Sequence, residues 1–99
     1  MPEFSISASP DVSDAEALAL YESVGWSAYT RDPELLMRAI RNSSFVVTAR
    51  AAGGGLAGLA RAVSDNATIC YLQDILVDPG FQGAGVGRAL LEAVQRRYG

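Results

Sequence analysis

The stretch Thr68-Ile69-Cys70-Tyr71-Leu72-Gln73-Asp74-Ile75-Leu76-Val77-Asp78-Pro79-Gly80-Phe81-Gln82-Gly83-Ala84-Gly85-Val86-Gly87-Arg88 decides the architecture of this chain. Thr68 to Val77 reads as the longest strand, rich in β-branched and aromatic residues and interrupted by one acid, Asp74. Asp78-Pro79-Gly80 ends it. Glycines at 83, 85 and 87 then lead into a helix through Tyr98, with Val86, Leu90, Ala93, Val94 and Tyr98 on its apolar face. Glycine lets the backbone approach a ligand closely, and the first turn of a helix presents unpaired N–H groups carrying about half a positive charge. The junction therefore suits an anion, above all a phosphate. A tight turn with close helix–sheet packing would use the same residues, but glycine in a first helical turn costs up to ~1 kcal/mol relative to alanine, and three of them need a reason.

Upstream, Phe4 to Ala8 reads as a short strand broken by Ser9-Pro10-Asp11. Ser13-Asp14-Ala15-Glu16 has capping-box spacing and predicts a helix with Leu18, Tyr21 and Val24 apolar, Ala17 and Leu20 alongside, and Gly25 as its stop. Trp26 and Tyr29 fall in the connector. Asp32-Pro33-Glu34 opens a second helix with Leu35, Leu36, Ala39 and Ile40 as its expected stripe. Phe45 to Ala51 and Leu56 to Val63 read as strands joined through Gly53-Gly54-Gly55, and Ser64-Asp65-Asn66 as the next turn. The order β-α-α-β-β-β-α is that of an α/β (α+β) domain, a mixed, mostly antiparallel sheet flanked by helices.

Composition excludes much chemistry. The 99 residues hold 8 basic side chains, all arginine, against 11 acidic ones, for a formal charge of −3, and no histidine. A Ser-His-Asp triad, a histidine-based metal site, a Schiff-base lysine and a lysine-dependent phosphate loop are thus absent from this sequence, and no metal is expected. The single Cys70 cannot form an internal disulfide and reads as a small core residue, which fits a reducing cytoplasm. No stretch has the length of a signal peptide's apolar core or of a membrane span, and there is no basic stripe, so neither membrane nor nucleic acid is expected as a partner.

A Walker loop needs a lysine, and a dinucleotide fingerprint would need glycine where Arg88 stands. The pattern Gln82-x-x-Gly85-x-Gly87, directly after Ile75-Leu76-Val77-Asp78-Pro79, resembles the acyl-CoA loop of the GNAT superfamily of N-acetyltransferases, and the upstream β-α-α-β-β order agrees with it. The resemblance implies acetyl-CoA as cosubstrate, with Gln82, Gly83, Ala84, Gly85, Val86, Gly87 and Arg88 around its diphosphate, although Arg88 could equally pair with Glu92. It implies that the backbone of Ile75, Leu76 and Val77 pairs with the pantetheine arm and points an N–H at the thioester oxygen. The reaction so implied is direct transfer of acetyl to a small-molecule or peptide amine.

An alkylammonium must lose its proton before it attacks, so a base or a water chain is needed. Asp74, an acid in an apolar strand beside the implied thioester site, is one candidate, with a carboxylate hydrogen-bonded to neighbouring backbone or pointing at solvent as the alternative. Tyr71 is the other. Trp26 and Tyr29 border the region that holds the acceptor in the family, and either line an amine pocket or anchor the helix pair. Family members continue past this helix with further strands. Residues 1–99 are accordingly expected to be a single, truncated domain whose Thr68–Val77 strand is an open edge, or one completed by a second copy in a homodimer. Two further readings stay open: a non-catalytic acyl-CoA-binding or sensor module, and an assembly module that uses that edge.

Overall fold

Capping decides where the first helices begin. In the computed structural model, which describes residues 3–8, 12–26 and 30–98, Ser13 Oγ accepts the Glu16 amide and Glu16 Oε1 accepts the Ser13 amide, both at 3.1 Å. This capping box starts α1, Asp14–Ser23. The helix ends in a Schellman motif: Gly25 turns to φ 78°, its amide donates to the Glu22 carbonyl at 3.0 Å, and the Trp26 amide donates to the Tyr21 carbonyl at 3.1 Å. Helix α2, Pro33–Arg41, starts on Asp32, whose Oδ1 accepts the Leu35 amide at 3.2 Å.

The strands β1 (Phe4–Ser7), β2 (Phe45–Ala51), β3 (Leu56–Ser64) and β4 (Cys70–Val77) form one sheet in the order β1-β2-β3-β4. All three pairings are antiparallel. A single 3₁₀ turn, Pro79–Phe81, follows β4 and precedes α3, Val86–Tyr98. Among the described residues, strand β4 lies at the sheet's edge.

Helices cover both faces. On one, Ala17, Leu20 and Tyr21 of α1 and Leu36, Met37 and Ile40 of α2 pack with Val46, Leu59 and Leu76. On the other, Val86, Leu90, Ala93 and Val94 of α3 lie on Val47, Ala49, Ala60 and Ala62. The small residues of β3, which look like a weakness in a strand, are what lets α3 come close. A Cβ on Gly58 would stand 2.8 Å from Val86 Cγ1 and 3.0 Å from the Leu76 carbonyl oxygen.

Several expectations need correction. Leu35 is 53% exposed and Met37 is buried in its place, because the stripe of α2 centres on Leu36, Met37 and Ile40. Cys70 is exposed rather than a core residue, since it opens an edge strand. Strand β4 begins at Cys70 and not at Thr68, because Asp65 captures the preceding amides: its Oδ1 accepts those of Ala67, Thr68 and Ile69 at 2.9, 2.8 and 3.1 Å.

Candidate functional site

The junction between β4 and α3 is organised by Asp78. Its amide donates to the Ala57 carbonyl at 2.8 Å, which continues the β3–β4 ladder by one step. Its Oδ1 then accepts the Gly80 amide at 2.8 Å, and Pro79 sits at the first position of the 3₁₀ turn. The Phe81 amide returns to the Asp78 carbonyl at 2.8 Å and the Ala84 amide to the Phe81 carbonyl at 3.1 Å. Gly83 and Gly85 adopt φ 86° and 88°, values that L side chains rarely take. The Ala89 amide makes the first helical bond, to the Gly85 carbonyl at 3.0 Å.

These connections leave a row of donors. Among the described residues, the amides of Gly83, Gly85, Val86, Gly87 and Arg88 find no acceptor in the protein. Among the described residues, nothing beyond the immediate chain neighbours lies within 4 Å of where a Cβ on Gly83 or Gly85 would stand. The corner is open, and the donors lie at the positive end of α3, as an anion requires. Gly87 differs: a Cβ there would meet only Val77 Cγ2, at an ordinary 3.6 Å. The Arg88 side chain is 86% exposed, with its Nε 4.0 Å from Glu92 Oε1, a long and solvated surface pair.

The acid in β4 has a different setting. Asp74 is 3% exposed, and its Oδ2 accepts both the Arg61 Nε–H, at 2.5 Å, and the Tyr21 hydroxyl, at 2.8 Å. Burial, with the adjacent Asp74 charge and hydrogen bond, pushes the Tyr21 phenol above its usual range, so it stays protonated and donates. Burial works against the Arg61 charge, but Asp74 more than compensates and holds the guanidinium above its ordinary value. Arg61 and Tyr21 were not singled out by sequence. The one signal was a lone arginine between Ala60 and Ala62 in an otherwise apolar strand; only the register Arg61↔Asp74 joins the two.

The remaining candidates separate. Tyr71 is 63% exposed on β4, six residues before Val77, or roughly 20 Å along the strand from the glycine corner. Trp26 is half-buried, with its ring edge-on to Tyr21 at 5.9 Å between centroids, the hydrophobic contact that closes the Schellman motif. Tyr29 lies outside the described residues. Leu76 is buried under α1 and α2, whereas Ile75 and Val77 are partly buried against α3. A separate polar recess of about 200 Å³ lies at the opposite end of β4, lined by Ser64, Asn66, Thr68, Cys70, Arg97 and neighbouring residues, remote from the glycine corner.

An open amide corner after an edge strand, on a sheet with helices on both faces, is the arrangement of an acyl-CoA-dependent transferase fold. The acetyltransferase (GNAT) family model matches residues 14–98, and the chain belongs to that family. It is 39% identical over 103 residues to soybean histone acetyltransferase TAP1, which covers 94% of this chain and 43% of that protein. It is 35% identical to the chloroplastic GCN5-related N-acetyltransferase 2 of Arabidopsis thaliana, over 94% of this chain and 42% of the relative. Among solved structures, a GNAT family acetyltransferase of Streptococcus pneumoniae superposes with a TM-score of 0.80 at 28% identity, covering 97% of this chain and 68% of that one. The chain thus spans about two fifths of the length of these two plant relatives.

Proposed function

We propose that residues 1–99 carry the acetyl-CoA-binding part of an N-acetyltransferase that moves an acetyl group from the thioester to a primary amine by direct attack. The observation that carries this reading is the set of open amides at Gly83 and from Gly85 to Arg88, with free space over Gly83 and Gly85, in a chain of the acetyltransferase family. In it, the loop from Gln82 to Arg88 holds the diphosphate. The backbone of Ile75, Leu76 and Val77, on the edge strand, pairs with the pantetheine arm. A donor there stabilises the charge that grows on the thioester oxygen, an effect of about 3 kcal/mol in comparable oxyanion sites.

The acceptor is a small-molecule or peptide amine, approaching from the side of α1 and Trp26. The histone acetyltransferase name of the soybean relative favours a protein amine. Proton removal by Tyr71 would require a group that lies far along the strand, and removal by Asp74 would require its buried carboxylate to give up Arg61 and Tyr21. In this reading the amine is taken up in its neutral form, and turnover rises with pH toward the amine's own pKa, near ~10. Action in the cytoplasm, without metal, membrane or nucleic acid, belongs to the same reading.

Titration calorimetry with acetyl-CoA, followed by a thiol-release assay over a panel of primary amines, tests it. Saturable binding and amine-dependent thiol release are expected; a chain that binds no acetyl-CoA overturns the reading. Binding without release would identify a non-catalytic acyl-CoA-binding module instead. The open outer edge of β4, beside the exposed pair Val63 and Tyr71, favours a second reading in which two copies join along it, and sedimentation across a concentration series decides that point.

A further inference from the structure

Leu72, Asp74 and Leu76 are spaced by two and would share one face of an uninterrupted strand. They do not. Leu72 packs on the α3 side, Leu76 joins the α1 and α2 side, and Asp74 meets Tyr21 of α1. The register explains this: Arg61 pairs with Asp74 and Ala62 with Leu72, so Gln73 is an extra residue in β4, and this bulge inverts the alternation between Leu72 and Asp74. Everything downstream, including Ile75 to Val77 and the glycine corner, inherits that phase.

An extra residue can move along a strand. If this one slipped past position 74, Asp74 would turn toward the alanine-lined face under α3, away from Arg61 and Tyr21, and a carboxylate there would have no partner. An apolar residue at 74 would be at home on either face. A buried pair with a guanidinium is also not an economical way to gain stability, since well-packed apolar residues of similar volume do as well or better; fixing a register is the better attested use of such groups. We propose that Tyr21, Arg61 and Asp74 act as a register lock: they hold β4 in the phase that the bulge at Gln73 creates, and so aim the Ile75–Val77 backbone at the acyl arm. The three are positioning residues, because they act through β4. The aiming part rests on the acetyltransferase reading above; the lock itself does not.

Replacing all three by apolar residues, Tyr21→Phe with Arg61→Met and Asp74→Leu, separates locking from stability. The lock predicts a folded variant with thermal stability near wild type, a second set of NMR cross-strand contacts displaced by one residue around positions 61–62 and 72–74, and acetyl-CoA affinity at least tenfold weaker. A folded variant with only the wild-type contacts overturns the lock. A shifted register with unchanged acetyl-CoA affinity overturns its aiming role. Wild-type protein that binds no acetyl-CoA removes the acetyltransferase reading and the aiming role together, while the contacts still decide the lock. Should the triple variant not fold, Tyr21→Phe alone serves: amide exchange at Ile75–Val77 is expected to quicken about tenfold with that of β2 unchanged, and unchanged exchange at Ile75–Val77 overturns the lock.

Discussion

Strand β4 is held between two turns that treat their backbone amides in opposite ways. At its start, Asp65 takes the amides of Ala67, Thr68 and Ile69 on Oδ1 and the Thr68 hydroxyl on Oδ2, and Ser64 Oγ accepts the Asn66 amide. The amides from Asn66 to Ile69 are all taken. At its end, Asp78 takes only the Gly80 amide on its side chain and the Phe81 amide on its carbonyl, and the donors of Gly83 and of Gly85 to Arg88 stay open. Both turns begin with an aspartate that organises the loop, so the residue type alone does not tell them apart. What differs is how many donors the carboxylate absorbs, which depends on whether the chain curls back over it or runs on into a helix.

The sharpest way to break this contrast is at the open turn. Gly85→Glu puts bulk and negative charge where the diphosphate is proposed to sit, at a φ that disfavours any side chain. Acetyl-CoA affinity by calorimetry should fall at least about a hundredfold, or about 2.7 kcal/mol. An affinity within a factor of two of wild type would remove the site.

Gly58→Ala tests the packing that holds the corner in place. The added methyl meets Val86 Cγ1 at 2.8 Å and the Leu76 carbonyl oxygen at 3.0 Å, so α3 or β4 must move. Urea unfolding should show a loss of about 1–3 kcal/mol, and acetyl-CoA affinity should fall with it.

The closed turn should answer oppositely. Its three amides hold the Asp65 carboxyl well below the ordinary carboxylate range. A carboxyl with a depressed pKa in the folded state adds stability at neutral pH, and this is lost as pH falls below the ordinary value of 3.8 toward the folded one. Asp65→Asn should therefore lower Tm by a few degrees at pH 7, flatten that part of the acid limb, and leave acetyl-CoA affinity unchanged. Glu16 contributes in the same direction: Arg50 above all, and the Ser13 amide, hold its carboxyl at about 2, so its share is lost between pH 4.5 and about 2.

The smallest effect is expected at the third glycine of the open turn. Gly87→Ala meets only Val77 Cγ2 at 3.6 Å and lies in a helical turn where alanine is favoured, so stability should hold or rise by up to ~1 kcal/mol. Affinity should change little, unless the ligand itself comes against that position. A large loss of affinity with stability retained would place the bound diphosphate directly on Gly87.

The sequence by itself determined the elements and one corner. Ser13 with Glu16, Asp32 with Pro33, and Gly25 are local signals, because a cap closes on amides two or three residues away, and each forms where it was read. Gly83 and Gly85 are legible for the same reason: a positive φ is a property of one residue. The tertiary structure alone decided what Asp74 does. Its partners Arg61 and Tyr21 lie 13 and 53 residues away in the chain, and the side it faces depends on a bulge that no alternation pattern announces. It also turned Gly58 from an apparent weakness into a point of close approach between β3 and α3, since the space around a glycine is set by whatever packs over it. Backbone preferences are short-ranged and can be read along the chain; burial and charge pairing depend on distances that exist only once the sheet has closed against its helices.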